Sequence, residues 1–142
     1  MKSKHLLSLS TLVLLILFSC KKDDDSNQET DNLFKFRDYI SYTTAGRVSI
    51  ADPIVINLAN DVEGWEAGKA LDDKLVSVSP HVQGELTATN AHTLAFKPDE
   101  NLKPDTEYTV SVKLDQIYNN QPKEFEVYTF SFKTIEPNFN IV

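Results

Sequence analysis

Tyr108, Val110, Val112 and Leu114 alternate with Glu107, Thr109, Ser111, Lys113 and Asp115. No other feature constrains the fold of this chain as tightly. Successive side chains of a strand point to opposite faces. Strict alternation therefore puts every apolar residue of this run on one side and every polar residue on the other. That is an antiparallel strand with one face on a core and one in water. Ile54, Ile56 and Leu58 repeat the pattern, and Pro53 is tolerated because it stands at the strand's start. Val76 and Val78 repeat it again, up to Pro80. A short strand over 82–86 and another over 92–96 follow, with Asn90 and Ala91 in the turn between them. Residues 39–42 and 48–50 form one first strand, split by a kink at Ala45-Gly46.

The last strand, 125–135, breaks its own phase. Tyr128, Phe130 and Phe132 share one face, while Phe125 and Val127 fall on the other. A β-bulge near Val127 is expected, because one extra residue brings both sets inward. The alternative is that one set packs on something outside the domain. No stretch shows convincing helical periodicity. Residues 61–73 contain Gly64, Trp65 and Gly68, and read as a long loop with at most one helical turn. Six or seven short strands, with turn signals roughly 8 to 12 residues apart, indicate an all-β antiparallel sandwich of about seven strands. No internal repeat is visible.

The N-terminus is a targeting segment. Lys2 and Lys4 precede an apolar run from Leu6 to Phe18. That run is short of the ~20 residues a membrane-spanning helix needs. A positive start, a short apolar stretch and a small residue at the cut describe a secretory signal over 1–19. Leu17-Phe18-Ser19-Cys20 resembles the bacterial lipobox, whose cysteine is acylated and becomes the new N-terminus. Phe18 is bulkier than usual at its position. The alternative is a plain signal peptide with a chance cysteine. Cys20 is the single cysteine, so no intrachain disulfide exists, and acylation gives the thiol a use in an oxidising compartment. Several acyl chains anchor far more firmly than one. Lys21-Lys22-Asp23-Asp24-Asp25-Ser26 resembles the surface-export signal of lipoproteins from the Bacteroidetes group. Residues 20–36 are thus expected to be a lipidated cysteine and a flexible acidic tether, since too few apolar residues are present to build a core. The resemblance implies an outer-membrane lipoprotein facing the periplasm or the cell surface.

About 110 residues then remain, which is one domain by size. Net charge is -7, and removing Lys2 and Lys4 takes it to -9. Such a chain, with no basic stripe, repels nucleic acid.

The densest pattern in the chain is Leu94-x-Phe96-x-Pro98-x-x-x-Leu102-x-Pro104-x-Thr106-x-Tyr108-x-Val110-x-Val112. It resembles a bacterial Ig-like domain of the S-layer type, as does Ser79-Pro80-x-Val82-x-Gly84 upstream. The resemblance implies an Ig-like sandwich over 37–142. Leu94 and Phe96 then point into the core, Leu102 plugs one end, and the Tyr108 hydroxyl reaches loop backbone as in a tyrosine corner. A narrower similarity joins residues 42–49 and 53–58 to the opening of bacterial alpha-2-macroglobulin lipoproteins. It implies the membrane-proximal first domain of a protease inhibitor, with further domains or a protease as partners. Those inhibitors use a bait region and often a cysteine–glutamine thioester. Neither is seen in this chain: Cys20 is the single cysteine, and the lipobox resemblance assigns it to lipid. Under this resemblance the abrupt apolar stop at Asn140-Ile141-Val142 marks a fragment.

Candidate sites are sparse. His81 and His92, with Glu85, approach one another only if a hairpin brings them together; otherwise they are surface residues at strand ends. A catalytic zinc needs three protein ligands and a shaped cavity. Ser, His and Asp occur without a Gly-x-Ser-x-Gly elbow, so no enzyme is expected. Asp61, Glu63, Asp72 and Asp73 cluster but lack the spacing of a calcium loop. No cofactor motif is present. Trp65 is either a sugar platform or partner anchor, as hot-spot tryptophans often are, or a cap on the sandwich. Two functions follow: a macroglobulin-type domain serving as spacer and docking module, or a stand-alone surface lipoprotein binding glycan or protein through an edge or loop.

Overall fold

A computed structural model describes residues 31–137. The signal segment, Leu17, Phe18, Ser19, Cys20 and the stretch 138–142 lie outside the described residues. Among the described residues, nine strands form two facing sheets: β1 (Ile40–Thr43), β2 (Arg47–Val48), β3 (Ile54–Leu58), β4 (Lys69–Ala70), β5 (Val76–Ser79), β6 (Gly84–Ala88), β7 (Thr93–Pro98), β8 (Glu107–Lys113) and β9 (Val127–Thr134). One sheet has the order β1-β3-β7-β6-β4 and the other β2-β9-β8-β5. The fold is an all-β Ig-like sandwich.

Alternation becomes burial as the sequence requires. Tyr108, Val110 and Val112 of β8 face Ile54, Ile56 and Leu58 of β3 within one continuous core, which also holds Leu86, Leu94, Phe96, Phe130 and Phe132. The first strand is split as expected. β1 pairs with β3 in one sheet, and β2 crosses to pair with β9 in the other. Gly46 makes the crossing, at φ 67°, a conformation that costs a residue without a Cβ little. The β2–β9 pair is parallel, so the sandwich is not wholly antiparallel. Gly84 is required for another reason. A Cβ there would lie 2.6 Å from the Phe96 ring.

Three expectations need correction. No bulge forms near Val127: β8 and β9 keep unbroken register from Glu107↔Lys133 to Lys113↔Val127. Instead the chain turns through a short 3-10 segment, Lys123–Phe125, before the strand begins. That turn re-aims Phe125 onto the core and leaves Val127 exposed. Nor are residues 31–36 tether. Residues 31–35 are helical, and Phe36 is buried against Phe125 and Tyr128 at ring distances of 5.1 and 5.0 Å. Finally, the 61–73 loop carries the two-residue strand β4, which pairs with β6.

The chain enters and leaves the described fold at opposite poles. The helical segment packs at the Val127 end of β9, where Asn32 Nδ2 donates to the Thr129 carbonyl at 2.8 Å. The chain departs after Thr134, at the other end of the same strand. At ~3.3 Å per residue these points are roughly 25 Å apart.

Candidate functional site

The far pole is built around Tyr108. It is buried, and its hydroxyl accepts the Lys103 N–H at 3.0 Å, the tyrosine corner expected from the sequence. Leu102 plugs the pole beneath it and donates its N–H to the Ile50 carbonyl at 2.9 Å. Thr134 ties the corner to β9: its hydroxyl bonds the Lys103 carbonyl and accepts the Thr106 N–H at 3.0 Å. Above this frame lies an open cleft of about 420 Å³, lined by His81, Gln83, Asp99, Glu100, Lys103 and Tyr108 among others. Besides Tyr108, its residues come from two segments, 81–83 and 99–103, joined by the Asp99 N–H to Gln83 carbonyl bond at 3.0 Å. Nothing local in the sequence brings those segments together, and the cleft was not foreseen.

The near pole holds Trp65. The tryptophan is half-buried and packs against the core margin, and its backbone N–H bonds the Val62 carbonyl at 3.1 Å. Part of the indole therefore closes the sandwich end, and part faces water. His92 stands in the β6–β7 turn, with Nδ1 2.9 Å from Asp61 Oδ1. His81 precedes β6 and so lies at the opposite end of that hairpin. His81 and His92 are exposed residues at strand ends and do not approach one another, because five paired rungs, Gly84↔Pro98 to Ala88↔Leu94, separate the ends they occupy. Glu85 is exposed opposite Lys97. Of the four loop acids, Asp72 caps the 3-10 turn Asp73–Leu75 by accepting the Lys74 N–H at 2.9 Å. Among the described residues no group of three His, Cys, Asp or Glu side chains is placed to hold a metal ion.

The outer face of the β2-β9-β8-β5 sheet is a second surface. Register aligns Ser77, Ser111 and Thr129 in one row and Ser79, Thr109 and Ser131 in the next. Hydroxyl pairs 3.1 Å apart join Ser111 to Thr129 and Thr109 to Ser131. The alternation of β8 and β9 contained these residues all along; only the register reveals the rows.

Residues 35–134 match the family model of the bacterial Ig-like domain. The chain belongs to that family. The bacterial Ig-like domain here covers the whole sandwich, from the segment that buries Phe36 to the end of β9. Among solved structures the chain resembles an L,D-transpeptidase from Mycobacterium tuberculosis H37Rv, with TM-score 0.46 and 13% identity over 68% of this chain and 40% of that one. An L,D-transpeptidase from Mycobacterium smegmatis gives TM-score 0.46 and 14% identity over 68% and 39%. The chain thus spans about two-fifths of the length of these proteins. A search of curated proteins finds no match.

Proposed function

We propose that this chain is a lipid-anchored protein of the bacterial cell envelope whose Ig-like sandwich is a non-catalytic spacer and docking module. The carrying observation is the order of parts. A lipobox-like Leu17-Phe18-Ser19-Cys20 is followed by a short polar stretch, and the family match starts at residue 35. Bacterial Ig-like domains are typically extracellular or surface-exposed, which agrees with a secretory signal. Opposite attachment and exit poles suit a spacer, since whatever follows residue 134 is carried away from the tether. The anchor is tested by Cys20→Ala, which abolishes labelling by a palmitate analogue; persistent labelling contradicts it.

A finer version makes this the membrane-proximal domain of an alpha-2-macroglobulin-like protease inhibitor. Its support is the similarity of residues 42–49 and 53–58, which form the split first strand and β3. Reading the gene beyond codon 142 tests it: a long multidomain chain with a bait segment is the expected result, and a stop codon there contradicts it. In the stand-alone alternative, glycan or protein binds through a loop or edge. Trp65→Ala on a glycan array then loses signal, whereas unchanged binding removes Trp65 from that role.

A further inference from the structure

Four strand edges bound the two sheets, and three are blunted. β2 and β4 are two residues long, and β1 shifts register between Ile40 and Tyr42. β5 is different. Its sequence is Val-Ser-Val-Ser, it carries no charge, and it pairs with β8 in unbroken register from Val76↔Val112 to Ser79↔Thr109. Shortness, charge, proline and bulges protect a sheet edge from further pairing, and the proline beside this edge, Pro80, lies past the end of the strand. At four residues, regular and neutral, β5 has the least protection of the four. Alternate residues of an edge strand turn their N–H and C=O groups away from the ladder. Among the described residues, no backbone hydrogen bond outside the β8 ladder engages residues 76–79.

The surroundings specify what fits. Leu71, Leu75, Val78 and Val82, on β5 and on the segments flanking it, are only half-buried at the margin of the core. A further strand with alternate apolar residues would cover that margin. On the outer face Ser77 and Ser79 end the two hydroxyl rows, and neither makes a side-chain hydrogen bond among the described residues. A further strand with Ser or Thr at the intervening positions would continue both rows.

We infer that β5 is a docking edge for an extended segment of a partner protein. The segment is uncharged, alternates apolar residues with Ser or Thr, and adds a fifth strand to the β2-β9-β8-β5 sheet. A second copy of the chain is the poorer occupant. β5 runs from the near pole to the far pole, so a two-fold β5–β5 pair sets two copies head to tail. Copies anchored in one membrane through Cys20 reach that arrangement only by lying flat on it or by stretching the residues between Cys20 and the fold, which disfavours it; this step alone rests on the anchor proposed above.

The test uses the chain from residue 20 onward, carrying Cys20→Ala so that binding is read without lipid. The probe is a synthetic peptide of three Thr-Val repeats with a lysine at each end. Saturable binding is expected, with amide exchange slowed in β5 and unchanged in β1. Ser77→Lys with Ser79→Lys places charge on two exposed positions and weakens binding roughly tenfold or more, with the thermal midpoint retained. Unchanged exchange in β5 at saturating peptide overturns the inference, and so does equal binding by the double variant. A reversible dimer of the parent protein that the double variant abolishes also overturns it, by assigning the edge to a second copy. Peptide binding that survives while Cys20 labelling fails upholds the edge and removes only the anchor.

Discussion

At the pole where residues 31–39 attach, aromatic rings close the sandwich; at the opposite pole, hydrogen bonds from one tyrosine and one threonine close it. Phe36 meets Phe125 and Tyr128, and Tyr39 meets Tyr118 and Phe125, at ring separations of 5.0 to 5.3 Å. These rings come from three separate stretches of the chain. The far pole is more local, because Leu102, Lys103, Thr106 and Tyr108 supply most of it and Thr134 clamps it from β9. The hydrophobic burial of rings is non-directional and tolerates many backbone routes that bring them together. A hydrogen-bonded corner works only with a fixed local geometry. The first is therefore hidden in the sequence, and the second leaves a motif.

Phe36→Ala breaks the aromatic pole most severely. Removing a buried phenylalanine costs about 3–5 kcal/mol, read as a lower urea midpoint. A loss well under 1 kcal/mol would mean that residues 31–36 are tether after all. Thr134→Val attacks the other pole. It keeps the shape but leaves the Thr106 N–H and the Lys103 carbonyl without the hydroxyl, for about 1–3 kcal/mol by the same measurement.

Tyr118 sharpens the contrast through pH. Burial pushes its phenol, which donates to the Tyr39 carbonyl at 3.1 Å, above the ordinary value near 10, outweighing the opposing pull of Asn60. The unfolded chain then loses this proton at lower pH than the folded one. Stability is level below the unfolded pKa and falls as pH rises beyond it. Tyr118→Phe should remove that part of the alkaline slope in urea titrations at successive pH values. The smallest effect is Val127→Lys. The side chain points to water, so stability stays within about 0.5 kcal/mol. A cost of several kcal/mol would restore the bulge.

Much of the fold was legible because alternation records which face each strand buries. β3, β5, β7 and β8 stand where Ile54, Val76, Leu94 and Tyr108 place them, and the Gly46 kink splits the first strand. The misses share a cause. Phe125 looked out of phase because a 3-10 turn, which has no two-residue period, intervenes before Val127. Phe36 sits directly between Lys35 and Arg37 with no two-residue period around it, and its burial depends on rings about ninety residues away in sequence. Lys69 and Ala70 of β4 are exposed, so no apolar face announces the strand. Of the candidate sites, Trp65 is legible as a lone tryptophan in a loop, whereas its half-burial at the core margin depends on the assembled fold. The cleft at His81 and the neutral edge of β5 depend on which segments become neighbours, and only the assembled sheets show that.

A spacer and docking module works only where it is held, at the N-terminal end of the chain. Intact mass and N-terminal peptide mass spectrometry of the protein purified from membranes tests that directly. The predicted result is a chain starting at Cys20, with residues 1–19 gone and acyl mass on the cysteine. A retained Met1, or an unmodified N-terminus at another residue, would contradict it.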